Sequence, residues 1–311
     1  MTAYAGIDVS KATLQIALFP QAGELSVPNT AEGLAKLAGW LAERQVVRVL
    51  VEATGGYEKL SVRLLAKTGF KVQRINPVRA RQFAQAMGKR AKTDPIDARM
   101  LATFASALEE KNFIFPDEAR DKLTELVNQR DVFIQQRDDN RRRIQQAQEA
   151  DVLDAYRELN AKLKEMIAAA DKRIAAQSRQ IDAELMERLR SIKGVGPVTI
   201  SSLFCYLPEL GDLSRGQVAA LAGVAPYNND SGAKRGVRRI YGGRSRLRRA
   251  VYMSTLVMVR HNDDFKNRYA RLRAAGKCSK VALVACMRVL LIRLNAMVRD
   301  GKPWQDQPAS R

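Results

Sequence analysis

Apolar residues come in short alternating or continuous runs over the first hundred positions and at helical spacing over long stretches thereafter. Ala3 to Asp8 and Thr13 to Phe19 read as strands, and a Gln21-Ala22-Gly23 turn leads to a third short strand near Leu25 to Val27, an antiparallel start. Asn29 or Thr30 caps a helix whose Leu34, Leu37, Ala38 and Leu41 recur at helical spacing, and the strand Val46 to Val51 follows. Strand and helix then alternate: Tyr57 to Ala66 is helical, Lys71 to Ile75 is a strand closed by Asn76-Pro77, and Ala80 to Met87 is a short helix. A last helix opens at Lys92-Thr93-Asp94-Pro95 and continues through Met100, Leu101 and Phe104, with Thr93 as N-cap and Pro95 tolerated in the first turn.

Three antiparallel strands followed by strand-helix units predict an α/β ribonuclease-H-like domain over residues 1–110. From Pro116 to Leu189 the chain turns to long helix formers, which predicts a helical hairpin or coiled-coil arm over 111–190. Leu159, Leu163, Met166, Ala170, Ile174, Ile181 and Leu185 fall on three-four spacing, whereas Gln129 to Ala150 is nearly all polar apart from Val132, Phe133 and Ile144. Such a thin seam suits either a solvated spacer or an oligomerisation arm. Residues 191–311 read as a mainly α C-terminal domain, with strongly apolar helices at Leu247 to Val259 and Val281 to Met297.

Four acids stand out against this pattern. Asp8 and Glu52 end apolar strand runs, and in open α/β sheets the C-terminal strand edge is where sites are built. Asp94 and Asp97 stand three apart at a helix start, so their carboxylates share one face. That pair alone would do no more than complement the helix dipole. All four together suit a hard cation such as Mg2+, which prefers oxygen ligands.

Composition narrows the chemistry. The chain has 311 residues, 46% of them hydrophobic, enough to bury a core and form about two domains. Its formal charge of +20 far exceeds what solubility needs, and a polyanion, most simply nucleic acid, is the natural partner. No uninterrupted apolar stretch reaches transmembrane length and no signal-peptide pattern opens the chain, so a soluble cytoplasmic protein is expected. Cys205, Cys278 and Cys286 lack CxxC spacing, which argues for reduced buried cysteines rather than disulfides or zinc. His261 is the single histidine, so catalysis must rest on carboxylates, hydroxyls and basic groups.

Three glycine-bearing segments add candidates. The loop Ala53-Thr54-Gly55-Gly56-Tyr57 lacks both the GK[ST] ending of a P-loop and GxGxxG spacing, so its glycines are expected to turn the backbone beside a metal site. The run Ser191-Ile192-Lys193-Gly194-Val195-Gly196-Pro197 between two helices resembles a helix-hairpin-helix, with Lys193 placed for phosphate contact. An ordinary tight turn would also explain its glycines. The stretch from Ser231 to Arg249 carries eight basic residues and no acid: Lys234, Arg235, Arg238, Arg239, Arg244, Arg246, Arg248 and Arg249. Glycine punctuation and the polar residues Tyr227 to Asp230 before it favour phosphate contact over a merely solvated face. Clustered Arg141, Arg142 and Arg143 on the arm suit either role.

The motifs, taken in order, resemble a known family. Gly6-Ile7-Asp8-Val9-Ser10-Lys11, Glu52-Ala53-Thr54-Gly55 and Lys92-Thr93-Asp94 with Asp97-Ala98-Arg99 are similar to the RuvC-like DEDD domain of the "one-ten" insertion-sequence transposases. Gly194-Val195-Gly196, Leu221-Ala222-Gly223-Val224-Ala225-Pro226, Ser231-Gly232 and Leu247-Arg248-Arg249-Ala250-Val251-Tyr252-Met253 resemble that family's C-terminal transposase domain. The resemblance implies a DNA recombinase that excises and inserts a mobile element, guided in relatives by a structured non-coding bridge RNA. It implies Asp8, Glu52, Asp94 and Asp97 as metal-binding catalytic acids and Ser231 as a nucleophile forming a phosphoserine link to DNA. It also implies a dimer or tetramer whose active site combines the RuvC-like domain of one subunit with the serine domain of another.

From the residues alone Ser231 is an ordinary loop serine, and Ser245 and Tyr241 are its rivals within the basic run. A metal-only nuclease or junction resolvase would need the same carboxylates with water as nucleophile. A non-catalytic nucleic-acid-binding protein would need only the positive field. Neither accounts for the carboxylates together with the motifs of the second half.

Overall fold

The computed structural model describes residues 2–88, 94–108, 118–228, 230–232 and 236–305. Lys92, Thr93, Pro116, Lys234 and Arg235, named above, lie outside them. The chain divides into two compact units, Met1–Phe115 and Pro116–Arg311.

In the first unit β1 (Ala3–Val9), β2 (Thr13–Phe19) and β3 (Glu24–Pro28) form an antiparallel meander. After α1 (Ala31–Glu43), β4 (Val46–Glu52) adds parallel to β1, and after α2 (Glu58–Lys67), β5 (Val72–Ile75) adds parallel to β4. The strand order is β3-β2-β1-β4-β5, which puts β1 and β4 side by side near the middle of the sheet. This is the mixed α/β layout that three antiparallel strands and following strand-helix units predict.

Alternation along the strands decides which helices cover which face. Ala3, Ala5, Ile7 and Val9 of β1 and Val49 and Val51 of β4 point into a core shared with Leu34, Leu37 and Leu41 of α1 and Leu65 of α2. Tyr4 and Leu50 face the other way, toward α3 (Pro77–Ala86) and α4 (Asp94–Ala107), where Met100, Leu101 and Phe104 pack with Ile75 and Ala80. The Phe83 and Phe104 rings stack at 4.2 Å between centroids.

Caps fix two helix starts, one at Thr30, an expected alternative, and one three residues earlier than the expected Ala80. Thr30 caps α1 by accepting from the Gly33 amide at 3.2 Å, which leaves Asn29 for another task. Asn76-Pro77 not only follows β5 but starts α3, with the Asn76 side chain accepting from the Val78 amide and Pro77 at the first helical position.

The second unit begins with α5 (Glu118–Gln146) and α6 (Ala150–Ile181), an antiparallel helical hairpin. Side chains fix its register: Gln177 donates to the Ala119 carbonyl, Arg130 pairs with Asp171, and buried Asn140 donates to the Tyr156 carbonyl at 2.7 Å. The face of α6 turned to its partner carries Leu163, Ile167, Ala170 and Ile174. Leu159 and Met166, expected in that seam, are instead exposed, because three-four spacing marks apolar positions without choosing between two adjacent stripes. The helix also ends earlier than its pattern suggests. Asp182 leaves the helical conformation and caps α7 (Ala183–Arg190) by accepting from the Leu185 amide at 2.8 Å.

α8 (Pro197–Tyr206), α9 (Arg215–Leu221), α10 (Ser245–His261), α11 (Asp263–Ala274) and α12 (Ser279–Asp300) complete the unit around one apolar core. The pattern did not predict α9 or α11. Thr199 and Ser254 share a buried hydrogen bond of 2.6 Å between α8 and α10, and buried Asn295 of α12 holds the Gly211 amide and the Leu213 carbonyl. By length and composition α12 is apolar enough to cross a membrane, and half of its apolar window is buried inside this unit.

Candidate functional site

The four acids come from three separate elements, and the sheet register with one helix packing brings them to a single edge. β1 and β4 are parallel with Ile7 opposite Val51, so Asp8 and Glu52 are the next pair, one residue before Val9 and at the end of β4. Both are half-buried. Asp8 shares its strand face with Gly6, and Gly6 is where α4 touches the sheet. A Cβ there would overlap the Ala98 carbonyl oxygen, the Ala102 amide and the Leu101 carbonyl carbon, so only glycine admits the helix backbone.

This contact sets the height of the remaining acids. Asp8 lies two residues, about 7 Å, beyond Gly6 along the strand, and α4 advances about 1.5 Å per residue in the opposite sense. Asp97 and Asp94 stand three and six residues before the middle of the Ala98–Ala102 contact, about 4.5 and 9 Å, and so bracket the level of Asp8. Asp97 is half-buried and Asp94 is exposed. Two arginines fix the helix further. Buried Arg48 of β4 donates to the carbonyls of Ala105 and Leu108 at its C-terminal end, and Arg99 pairs with Glu24 of β3.

The loops at this edge are tied together. Asn29 donates to the Ser10 carbonyl after β1 and to the Tyr57 carbonyl after β4. In the loop after Glu52, the amides of Thr54 and Gly56 both donate to Glu58 Oε2, at 3.1 and 2.9 Å, and the buried Glu58 carboxylate also faces Arg74 at 3.4 Å. An internal carboxylate therefore occupies the amides that a phosphate would need, and Gly55 and Gly56 serve the turn, both with positive φ. From the sequence Asn29 reads only as a possible helix cap, and Glu58 is not singled out. Glu58 standing four residues after Thr54 at a helix start was the available signal.

All four donors are carboxylate oxygens, the chemistry a hard divalent cation selects, and the backbone carries them to one edge. Among the described residues no three His, Cys, Asp or Glu side chains already converge tightly enough to hold an ion. Asp8, Glu52 and Asp97 each engage another group.

In the second unit Ser231 stands in a hairpin formed by β6 (Pro226–Tyr227) and β7 (Arg239–Ile240). Ser231 is exposed, and Asp230 beside it accepts from the Gly236 amide at 3.0 Å. The base of the hairpin is closed by backbone on backbone: a Cβ on Gly243 would overlap Gly223, and one on Gly223 would overlap the Gly242 carbonyl oxygen. The Arg244 amide donates to the Leu221 carbonyl at 2.7 Å. Of the rivals, Ser245 is the first residue of α10 and Tyr241 is 71% exposed beyond β7.

The basic residues separate into two groups. Arg244 forms a bidentate pair with Glu209, both bonds 2.6 Å, and also donates to the Tyr206 carbonyl. Burial opposes ionisation of Glu209, but the Arg244 hydrogen bonds and charge outweigh it and hold its carboxyl below the usual value. Arg246 donates to Asn128 and to the Tyr206 hydroxyl, and Arg248 to the carbonyls of Gly223 and Gly242. These three, expected on a phosphate, are committed to the unit's own structure. Lys193, Arg238, Arg239 and Arg249 are exposed and make no ion pair among the described residues. At the Lys193 turn, a Cβ on Gly194 would overlap the Met258 side chain, so packing against α10 explains that glycine.

The cysteines are all free thiols. Burial pushes Cys205 and Cys286 up to about 11, whereas Cys278, expected inside, is exposed before α12.

Two family models match the chain and together cover more than half of it. The first, a transposase model of the DEDD type of this family, matches residues 5–156, and the second, "Transposase IS116/IS110/IS902 family", matches 186–270. The chain belongs to the IS110 family of transposases. It is thus an enzyme of DNA recombination. The transposase is 27% identical to the "Pilin gene-inverting protein" of Moraxella bovis over 97% of each chain, and equally to that of Moraxella lacunata. An IS110 insertion-element protein of Streptomyces coelicolor is 32% identical over 38% of this chain and 30% of its own. The four acids of the transposase fall in the first matched region, and Ser231 with the basic segment in the second.

Proposed function

We propose that this transposase breaks and rejoins DNA through attack of the Ser231 hydroxyl on a phosphodiester, assisted by a divalent cation at Asp8, Glu52, Asp94 and Asp97. The observation that carries the reading is that the backbones of β1, β4 and α4, set by the Gly6 contact, carry four acids to one end of the sheet. Like charges gathered at a strand edge repel unless a cation joins them. Mg2+ fits this all-oxygen set and would supply stabilisation of the charge that develops on the reacting phosphate.

In the step itself the Ser231 hydroxyl gives up its proton to solvent as an Oγ–P bond forms, the P–O bond to one deoxyribose oxygen breaks, and that oxygen takes a proton from solvent and leaves as a hydroxyl. The resulting phosphoserine keeps the energy of the phosphodiester, so a DNA hydroxyl can reverse the step on a new strand. Arg238 and Arg239, exposed on the same hairpin, neutralise phosphates beside the serine, and Lys193 and Arg249 extend the contact. The turn at Lys193 acts as a helix-hairpin-helix on the same DNA.

The reading divides the chain into a metal-binding domain over 1–110, a coiled-coil arm over 111–190 and a serine domain over 191–311. Acids and serine lie in separate units, which suits a dimer or tetramer that pairs the acids of one subunit with the serine of another. A structured RNA chooses the donor and target sequences. Inversion of a DNA segment, named in the Moraxella relatives, is the same exchange between two sites on one molecule.

The test is mass spectrometry of the protein after incubation with Mg2+, the DNA flanking its gene and the RNA transcribed from that flank. A nucleotide adduct on Ser231, absent from Ser231→Ala and lost in Asp8→Asn, is the expected result. Strand breaks that form no adduct and survive Ser231→Ala would replace the serine mechanism with a hydrolytic RuvC-like nuclease using water.

A further inference from the structure

Half of α12 is buried in the second unit, and its uncovered face forms the floor of a cavity of about 930 Å³. Val281, Val284, Ala285, Val289 and Ile292 line that floor at helical spacing, and Val237 and Ile240 of the hairpin overhang it. Val281 is 51% exposed and Val237 75%, so apolar surface that the fold leaves in water is concentrated here. Arg215, Arg238, Arg239, Lys280 and Arg288 surround the cavity, and among the described residues no acid lines it. Among the described residues the wall is aliphatic, without an aromatic ring to stack on a base, which disfavours single-stranded nucleic acid as the occupant.

The complement of this groove stands elsewhere in the same chain. On α6, away from the face packed on α5, Val152, Leu159 and Met166 are 43%, 48% and 37% exposed at seven-residue spacing. Each is directly preceded by an acid, Asp151, Glu158 and Glu165. The unit therefore leaves about two-fifths to one-half of each of these side chains in water. Glu165 pairs with Lys162 on the surface at 2.9 Å, an exposed bond that a stronger partner displaces.

We infer that the cationic groove on α12 receives the acidic-apolar stripe of α6 from a second copy of this chain. Dimensions agree: Val281 to Ile292 spans about 16 Å of helix and Val152 to Met166 about 21 Å, at 1.5 Å per residue. Lys280 and Arg288 stand about 12 Å apart along their helix, and Glu158 and Glu165 about 10 Å along theirs, so both charge pairs can form while the apolar rows interdigitate. The docking is helix-in-groove, with anchors at seven-residue intervals and charges at the edge. Each copy offers both stripe and groove, so two copies that exchange arms reciprocally close a two-fold dimer. The inference does not depend on the serine chemistry proposed above.

Exposed Cys278 at the start of α12 supplies a probe. Val152→Cys and Met166→Cys are placed at the two ends of the stripe, in full-length protein free of nucleic acid. Under mild oxidation one of them should link to Cys278 of another copy, giving a dimer on a non-reducing gel and a linked peptide by mass spectrometry, lost in Cys278→Ser. In sedimentation, Glu158→Lys with Glu165→Lys should weaken wild-type self-association at least tenfold, and adding Arg288→Glu and Lys280→Glu should restore it. Links only between arm cysteines, a link within one chain, or no link at all would overturn the proposal. So would a monomer whose Cys278 is shielded from alkylation only by DNA, RNA or anionic vesicles.

Discussion

The acid corner and the serine hairpin are held in opposite ways. Asp8 and Glu52 sit on two central strands, and α4 is fixed to the sheet at three places: by Gly6 at its middle, by Arg48 at its end and by the pair of its Arg99 with Glu24 of β3. Ser231 stands on a ribbon of two-residue strands whose described restraints, apart from the Asp230–Gly236 bond, gather at its base, in the Gly223–Gly243 contact and the Arg244–Glu209 pair. A short two-stranded ribbon has little stability of its own, so its base decides where its tip lies. Carboxylates that must be kept close against mutual repulsion need a rigid frame. A nucleophile that must reach into a long polymer gains from projecting beyond one.

The largest expected effect tests the frame's purpose. Asp8→Asn should lower recombination product by about 10²- to 10³-fold while leaving unfolding free energy within about 0.5 kcal/mol of wild type. An equal loss of stability would make the acid structural instead. Next, Gly6→Ala should destabilise the first unit by about 3 kcal/mol, since neither strand nor helix backbone can retreat. The two tryptophans, Trp40 in the first unit and Trp304 in the second, let urea titration assign the shift, which should appear at Trp40 alone.

At the hairpin, Gly243→Ala should cost about 2 kcal/mol, because the added carbon meets Gly223 where φ is already positive. Adduct formation at Ser231 should fall with it, and unchanged adduct yield would show that the tip is positioned by something other than its base. Arg244→Ala should cost about 1.5 to 2 kcal/mol by stripping a charged bidentate partner from Glu209. Its pH signature follows from the lowered Glu209 carboxyl: the stabilisation is complete above about 4.5 and is lost as pH falls through the folded-state value. Wild type should therefore lose stability more steeply than Arg244→Ala in acid. The smallest effect separates the two groups of arginines. Arg249→Ala should reduce the salt dependence of DNA binding by about 0.9 in log-log slope, and Arg244→Ala should leave the slope unchanged.

Much of the first unit was legible because its strands are buried on both faces and announce themselves as apolar runs, with Asp8 and Glu52 marking where those runs stop. The Gly6 contact was not legible, since a glycine in a strand looks the same whether or not a helix rests on it. On the arm, spacing identified Leu159 and Met166 as apolar helix positions but could not show that α5 covers the neighbouring stripe. The basic segment misled in a similar way. Arg244 and Arg249 are alike in a charge count, yet Glu209, distant in sequence, removes the first from the surface.

By itself, the sequence determined the strand and helix types, the positive field, the acids at the strand ends and the motifs of the family. Periodicity and charge are local properties, carried by the chain whatever it packs against. Tertiary structure alone decided that four acids share one edge, which arginines remain for a polyanion, and where apolar surface stays uncovered. Those outcomes depend on which surfaces meet, and a meeting between distant segments leaves no periodic trace in either one.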